Sequence, residues 1–439
     1  MRRLGRIILA AVVVIAAAVA VFLFKPASLP DVSAAQAALP TGQALIDRGE
    51  YLARAADCVA CHTTAGGKPY AGGLAFKLPF GTLYSPNITA DKETGIGDWT
   101  DAQFVRALHQ GIGWQGGNLY PAFPYATYAR MTTEDALAIK AYLFSLPVVH
   151  ADRPKNDLIF PFNQRYMMRF WNLLFVPSGP LQPDPQQSAD WNRGAYLVEA
   201  MAHCGECHTP RNLLYALDNG KKFAGAELQG WKAYNISSDK RTGIGGWSDE
   251  QLADYLSKGH ADGRGSATGS MGEAVDYSLR HLTPEDIKAI VAYVRTVPPQ
   301  ASSDQAIVEA EPATLKASTA YAPAPDAAAP DAAAQGGLGL KLFQGACASC
   351  HGWNGEGLQT PYAALRGSRT VNDPDGTNLI QVILKGAHMT TPTGTQAMPA
   401  FANAYSDVEI AALGNYVLGH FGGKQSAITP ADVAKARAQ

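Results

Sequence analysis

The chain opens with a long apolar run behind a basic N-terminus. Three of the first six residues are arginine, and an uncharged apolar stretch then covers 7–24, before Lys25 and Pro26. A run of this length reaches the lower limit for a bilayer-spanning helix and exceeds most signal-peptide cores. The nearest small-x-small cleavage site, 35–37, is far downstream. We therefore predict that residues 1–26 stay as a membrane anchor, with a cleaved signal peptide as the alternative.

Apolar residues recur at helical spacing in three later segments, each behind a helix-start signal. A Ser or Thr stands at the predicted N-cap and an acidic residue follows three positions on, as in a capping box. The three helices are predicted at 136–146, 287–294 and 410–418, after Thr132, Thr283 and Ser406. Two more are predicted after Thr100 and Ser248. The pattern indicates an all-α fold in which each of three units ends in a helix.

The first two units look like copies of each other. The segment Arg-Gly-x-Tyr-Leu, which we call the lead-in, occurs at 48–52 and again at 193–197. An Asn-Ile-Thr/Ser segment leading to Gly-Ile-Gly-x-Trp occurs at 87–99 and again at 235–247. The third unit is more distant and begins near Leu338. Two related domains and a third, diverged one follow from this repetition.

Two segments between the units differ in kind. Residues 158–176 are aromatic and apolar, which fits either a packed connector or a docking surface for a partner subunit or the membrane interface. Residues 321–337 are nearly all Ala, Pro, Asp and Gly, and indicate an extended spacer. The predicted divisions are an anchor at 1–26, domains at 40–150, 186–300 and 338–424, a connector at 151–185, a linker at 301–337 and a tail at 425–439.

Length and charge agree with this division. The 439 residues suffice for about three domains. The net charge is −2 and charged residues make up 17% of the chain, so no basic field indicates a nucleic-acid partner.

Every cysteine lies in one of three copies of a Cys-x-x-Cys-His pentapeptide. The copies are Cys58, Cys61 and His62; Cys204, Cys207 and His208; and Cys347, Cys350 and His351. This pattern is typical of c-type haem attachment, because two thiols one helical turn apart can add to the porphyrin vinyl groups while the histidine binds the iron. A redox dithiol needs no following His, and a zinc site needs a second ligand pair nearby. We predict three covalently bound haem c groups.

The second axial ligand is expected to be a methionine. A thioether paired with His raises the reduction potential of haem iron, and it should come from the loop before each terminal helix. The candidates are Met131, by elimination in the first domain, Met271 in the second and Met398 in the third. Weaker alternatives are Met389, His109, His260 and His388.

Taken together, the chain resembles the triheme cytochrome c subunits of bacterial membrane-bound dehydrogenases. The resemblance is carried by the two lead-ins, the paired Asn-Ile and Gly-Ile-Gly segments, the Cys204–Arg211 stretch and the sequence Leu-Tyr-Pro-Ala-Phe-Pro-Tyr at 119–125. It implies three class I cytochrome c-like domains in tandem behind an N-terminal transmembrane helix. It also implies a periplasmic location on the bacterial inner membrane, where haem attachment takes place.

The resemblance further implies a role in electron transfer rather than substrate chemistry. In such complexes a catalytic dehydrogenase subunit, which can be joined by a small third subunit, oxidises an alcohol, aldehyde or sugar. The cytochrome subunit then passes electrons to membrane ubiquinone. The partner could serve alcohol, aldehyde, fructose or gluconate oxidation. The connector sequence Phe160-Pro161-Phe162 and Phe123 are most similar to cytochrome relatives that serve molybdenum aldehyde dehydrogenases.

The chain departs from the family pattern in two places, and the first of them keeps a rival function open. Many relatives have Met-Pro-Tyr where this chain has Phe123-Pro124-Tyr125, so the first haem must find its ligand elsewhere, which leaves Met131. The C-terminal segment is short and polar, so attachment would depend on the N-terminal helix alone. The rival is a peroxidase-like haem enzyme in which one iron has an open position.

Overall fold

The computed structural model describes residues 2–300, 337–391, 394–423 and 427–439. It forms two compact units, Met1–Pro183 with Glu199–His203, and Asp184–Val198 with Cys204–Gln439. Nearly all of the predicted Ala/Pro-rich linker lies outside the described residues.

The first unit contains the N-terminal helix, the first domain and the connector. Its helices are α1 Arg2–Phe24, α2 Ser33–Ala38, α3 Gln43–Ala55, α4 Cys58–Cys61, α5 Asp101–Gln110, α6 Tyr125–Tyr128, α7 Thr133–Ser145 and α8 Met168–Phe175, the last preceded by a 3₁₀ turn at Arg165–Met167. An antiparallel sheet is formed by β1 Ala75–Leu78, β2 Gly81–Tyr84 and β3 Asp157–Leu158. In the described residues, α1 is the one helix long and apolar enough to cross a membrane.

The second unit contains the second and third domains. Its helices in the second domain are α9 Ala189–Tyr196, α10 Cys204–His208, α11 Asp249–Lys258, α12 Gly269–Tyr277 and α13 Pro284–Val294. In the third domain they are α14 at 337–342, α15 Ala348–His351, α16 Arg369–Asn372, α17 Thr377–Lys385, α18 Asp407–Gly422 and α19 Pro430–Arg437. Three hairpins complete the unit: β4 Ala226–Leu228 with β5 Trp231–Ala233, β6 His260–Ala261 with β7 Gly265–Ser266, and β8 Ala387–Thr391 with β9 Gly394–Met398.

Helices dominate, but the all-α prediction is incomplete. The described residues contain four short antiparallel sheets, and none has more than three strands. These strands turn the chain within the loops between helices, where the sequence shows no long alternating apolar pattern. The helix starts are confirmed: Thr100, Ser248, Thr132, Thr283 and Ser406 each accept a hydrogen bond from the backbone N–H three residues on.

A glycine allows the first and last helices to cross closely in each domain. A Cβ added at Gly49 of α3 would lie 2.0 Å from the Ala138 carbonyl oxygen of α7, and one at Gly194 would lie 1.9 Å from that of Ala289. Gly339 of α14 makes the same approach, because its Cβ would lie 2.3 Å from the Ala412 carbonyl oxygen of α18. Since a side chain cannot be accommodated at these distances, the third domain repeats the helix crossing of the other two.

The lead-in arginines secure the same crossing in the first two domains. Arg48 pairs with Asp135 at 2.6 Å, and Arg193 pairs with Asp286 at 2.6 Å. Each aspartate lies in the first turn of the terminal helix. The repeated Arg-Gly dipeptide thus provides both the ion pair and the close contact.

The C-terminal tail is part of the third domain. Val433 and Ala436 of α19 join Ile428 in the buried core of that domain, and Thr429 caps the helix with Asp432 in a capping box. The described part of the tail, 427–439, is therefore a packed element, which its polar composition did not indicate.

Candidate haem sites

Each CxxCH motif is held on a short helix. The first pair of cysteines opens and closes α4, the second pair lies in α10, and in the third Cys347 directly precedes α15. No disulfide joins any of the six cysteines, all of which lie within the described residues. Burial raises the pKa of Cys58 to about 12 and that of Cys347 to about 11. One helical turn separates the thiols of each pair, which is the spacing that bridging two vinyl groups requires.

The three motif histidines are oriented in the same way. The Nδ1 atom of His62 lies 2.8 Å from the Pro86 carbonyl oxygen, that of His208 lies 2.6 Å from the Tyr234 oxygen, and that of His351 lies 2.6 Å from the Ala363 oxygen. A carbonyl can only accept, so Nδ1 carries the proton and Nε2 keeps its lone pair. Burial lowers the pKa of all three imidazoles, which favours the neutral, metal-binding form.

Buried asparagines fix two of these carbonyls. Asn87 follows Pro86 and donates to the Thr94 hydroxyl at 3.0 Å and to the Val149 carbonyl at 2.6 Å. Asn235 follows Tyr234 and makes the equivalent bonds to Thr242 and to the Gln300 carbonyl, both at 3.0 Å. The repeated Asn-Ile-Thr/Ser segment therefore has a definite task, which is to hold the carbonyl that orients the histidine.

These residues fit a c-type haem. Two adjacent thiols can form the thioether bonds, and a neutral imidazole with a free Nε2 can bind the iron while its Nδ1–H is held by the backbone. The arrangement occurs three times along the chain, with three different carbonyl acceptors. Such repetition of the second hydrogen bond is expected of a ligand histidine and is unnecessary for a histidine that only packs.

The predicted methionine ligands of the second and third domains lie before the terminal helices, but in a helix and a strand rather than in the loops that the sequence predicted. Met271 is half-buried in the first turn of α12, and Met398 is half-buried at the end of β9 against the third domain's core. Met389, the alternative, is turned toward the second domain: Cβ atoms added at Gly259 or Gly272 would lie 2.4 and 3.8 Å from its Cε. Met389 thus fills the contact between the two domains.

Met131 stands in a different place from the other two methionines. It is fully buried and immediately precedes Thr132, the N-cap of α7. The corresponding residue before Thr283 in the second domain is Leu282, a buried core residue. Met131 therefore occupies the position that a buried core leucine occupies in the second domain. Its role as a ligand stays a prediction.

The histidine alternatives differ in their surroundings. His260 engages both ring nitrogens, with the Ser266 hydroxyl at 3.0 Å and the Asp262 carboxylate at 3.2 Å. His388 is exposed. His109 has a buried Nε2 with no hydrogen-bond partner among the described residues, and burial lowers its pKa to about 4. Among these three histidines, His109 is the one with a buried ring nitrogen that no described residue engages.

The third domain reaches the carbonyl that orients His208. The Arg369 guanidinium donates to the Asn235 carbonyl at 3.0 Å and to the Thr242 carbonyl, and it lies 5.0 Å above the Tyr234 ring. The cavity beside it is lined by three further basic residues: Lys240, Arg241 and Arg264. Basic side chains from two domains thus surround the Tyr234–Asn235 segment, whose carbonyl orients His208.

The second domain reaches the third site in return. Tyr362 precedes the carbonyl that orients His351. Its hydroxyl donates to the Lys258 carbonyl at 3.0 Å, and its own carbonyl accepts from the Ser266 hydroxyl at 3.0 Å. The Tyr362 ring lies 5.1 Å from that of His260. The supports of the second and third histidines are therefore built into one contact surface between these domains.

The chain is similar to known c-type cytochromes. The cytochrome c family matches residues 46–147 and 192–298, and the family described as cytochrome c oxidase, cbb3-type, subunit III matches 334–417. The chain is 41% identical to the fructose dehydrogenase cytochrome subunit of Gluconobacter japonicus, across 90% of this chain and 82% of that protein. It is 36% identical to the gluconate 2-dehydrogenase cytochrome c subunit of Pantoea cypripedii, across 90% of both. It is also 34% identical to the cytochrome c subunit of the quinone alcohol dehydrogenase of Gluconobacter oxydans, across 90% of this chain and 82% of that protein.

Proposed function

Because this chain belongs to the family of c-type cytochrome subunits of membrane-bound dehydrogenases, we propose that it carries electrons from a catalytic dehydrogenase subunit to membrane ubiquinone through three haem c groups. The observation that carries the proposal is the repeated Nδ1–carbonyl bond at His62, His208 and His351. A c-type haem with such a ligand takes up and releases one electron at a time.

The chain's own residues keep each site fixed during electron transfer. The cysteine pairs would hold the haems covalently, while the Asn87 and Asn235 side chains stop the supporting carbonyls of the first and second sites from rotating. Met271 and Met398 are the proposed sixth ligands of the second and third haems. A site that changes little between its two redox states has a small reorganisation cost, and rigid hydrogen bonds behind the ligands serve this purpose.

The proposed partner is a dehydrogenase that oxidises a small organic substrate. Relatives of this chain are named as cytochrome subunits of fructose, gluconate and alcohol dehydrogenases, so the cytochrome scaffold serves several substrates. The sequence of the connector and of Phe123 supports a molybdenum aldehyde dehydrogenase as the catalytic subunit. A small third subunit is compatible with this arrangement.

The proposed location is the periplasmic face of the inner membrane, with α1 as the single anchor. The helix has no buried residue in this structure, which is the state expected of a segment that lipid surrounds. Its arginine-rich start favours a cytoplasmic N-terminus. N-terminal sequencing of membrane-extracted protein should find residues upstream of Lys25; a start near Ala38 would show that the helix is a removed signal.

A second candidate is a haem enzyme with one open iron site. The observation that favours it is that Met131 lies where the second domain has the buried Leu282. The first domain is then without a methionine placed like Met271. A high-spin ferric signal from one haem in three would support the enzyme, since an open iron is high-spin. Electron relay does not depend on the outcome, because a haem without a methionine ligand still exchanges electrons.

The relay proposal is tested by stoichiometry and by quinone reduction together. A pyridine haemochrome assay against protein concentration should give three haems per chain. Membranes that contain the complex should reduce a ubiquinone analogue when the organic substrate is added, and His208→Ala should abolish that reduction. Two or fewer haems in mature protein, or full quinone reduction without a complete second site, would contradict the proposal.

A further inference from the structure

The connector presents one face of apolar side chains that the structure leaves uncovered. We call it the connector face; its members are Ile159, Phe160, Met167, Phe170, Leu173 and Leu174. Phe160 is 77% exposed and Leu173 is 69% exposed. Exposed apolar side chains concentrated in one short segment indicate a contact with another apolar phase or molecule.

Within the connector, the other face of helix α8 is packed against the first domain. The Asn172 side chain accepts a hydrogen bond from the Tyr125 hydroxyl at 2.7 Å and donates to the Gln110 carbonyl at 3.0 Å. The Trp171 ring lies 5.9 Å from that of Tyr125, and Met168 joins a small core around Tyr120. Because residues three and four apart share a face of a helix, fixing this face leaves Phe170, Leu173 and Leu174 pointing away from the domain.

The connector face continues directly into the end of the proposed anchor. The Phe22 ring of α1 lies 5.2 Å from that of Phe170, and the Phe24 ring lies 5.6 Å from that of Tyr166. Arg169 donates to the Phe22 carbonyl at 2.6 Å and to the Lys25 carbonyl. The last turn of a spanning helix lies at the boundary between lipid and water. Whatever packs on that turn lies at the same depth.

We propose that the connector face is a second membrane contact, which inserts into the outer leaflet beside the anchor and holds the first domain against the lipid surface. The proposal rests on α1 being the anchor. Its chemistry suits the boundary region: residues 158–176 contain aromatic rings, aliphatic side chains and two arginines but no acidic residue. Aromatic and basic residues are favoured there, and anionic lipid attracts the arginines.

A single introduced cysteine tests the proposal on the full-length, haem-loaded chain. All six native cysteines lie in CxxCH motifs, so a new one is the thiol available to a nitroxide label. We would place the label at Leu173→Cys, with Ile159→Cys as a second site in case the first variant folds poorly. The protein is reconstituted in nanodiscs of phosphatidylcholine and phosphatidylglycerol. Paramagnetic collision rates are then measured with oxygen, which enters lipid, and with a nickel chelate, which stays in water.

Two control positions separate the failure of this inference from failure of the anchor. Val14→Cys probes the middle of α1, and Leu213→Cys probes an exposed leucine far from α1 in sequence. Labels at Leu173 and Val14 should both favour oxygen, while the label at Leu213 should favour the chelate.

A water-exposed label at Leu173 with a lipid-exposed label at Val14 would overturn the connector contact alone. Water exposure at Val14 would overturn the anchor and the inference with it. Shielding of Leu173 from both reagents, seen only in complex with the dehydrogenase, would identify a protein partner instead and refute the lipid contact.

Discussion

The first and second domains share one half of their haem site and differ in the other. In both, the motif histidine donates to a carbonyl that a buried asparagine holds, and the bonds of Asn87 and Asn235 correspond one to one. The positions of the predicted sixth ligands, in contrast, do not correspond. Met271 lies in a helix well before the N-cap of α13, whereas Met131 directly precedes the N-cap of α7.

The difference shows which half of the site tolerates change. The attachment half depends on several residues that must act together: two thiols, an imidazole, a carbonyl and the asparagine behind it. The side that supplies the sixth ligand depends on one side chain. The segment that carries this side chain can therefore change without disturbing the attachment of the haem. On this division, a domain whose sixth ligand changed would keep its haem and alter its reduction potential.

The largest effect is expected at Met131, where the comparison can be broken. Because Met131 is fully buried in the register of Leu282, Met131→Ala should cost about 2–5 kcal/mol of unfolding free energy. Met131→Leu keeps the shape and should cost under about 1.5 kcal/mol. If Met131 only packs in the core, the leucine variant should keep every haem spectrum and reduction potential of the parent protein. Chemical denaturation and potentiometric titration provide the measurements.

The same two variants decide whether Met131 is a ligand. If both alanine and leucine remove the signature of one methionine-bound haem and lower one potential, Met131 is the sixth ligand, as the sequence predicts, and the domains are more alike than their registers indicate. Met167→Ala is the control, since Met167 is largely exposed. Met168 is a poor control because it packs near Tyr120 in the first domain.

Met271→Ala tests the distal half of the second domain. The soft thioether favours ferrous iron, so its loss should lower one of the three potentials by about 0.1 V or more, well inside the roughly 0.8 V range set by axial ligands. Met389→Ala, which removes a methionine from the contact between domains, should leave the methionine-type spectra of the parent protein unchanged. Unchanged potentials in the Met271 variant would show that another residue binds the second iron.

Gly339→Ala tests whether the third domain shares the helix crossing of the first two. A Cβ there would lie 2.3 Å from the Ala412 carbonyl oxygen, so the helices must move apart, at a cost of about 1–3 kcal/mol. Gly345→Ala is the matched control, because nothing lies within 4 Å of its added Cβ. Equal stability of the two variants in thermal unfolding would mean that the crossing in the third domain is looser than this structure has it.

The sequence was informative where a pattern repeats and where the chemistry is local. The CxxCH motifs, the N-caps and the Arg-Gly lead-ins could be read directly, because each depends on residues close together in the chain. Gly339 could have been found by searching for a glycine at a similar distance before Cys347. The contacts of Arg369, Tyr362 and Met389 could not, since they join segments from different domains and nothing in their local sequence indicates a partner. The packed tail was missed because most of its apolar residues are alanines, and Ile428 and Val433 are its two large ones.

The smallest effect is expected at Arg369, where the second domain gains something that the first domain lacks. Within the second unit, a guanidinium from the third domain lies against the Tyr234–Asn235 segment that supports His208. A fixed positive charge near a haem disfavours the ferric state, which carries one more positive charge than the ferrous state. Arg369→Leu should therefore lower the potential of one haem by on the order of tens of millivolts.

Arg241→Leu is the matched control for that charge. Arg241 lines the same cavity but is exposed to solvent, so water and salt screen it and its loss should shift no potential measurably. The expected shift in the Arg369 variant should also persist at high ionic strength, because a partly buried charge is screened little. If both arginine variants give the same shift, and salt removes it, the effect is a general surface field. In that case the third domain would support the second only by packing, and the two domains would tune their haems independently.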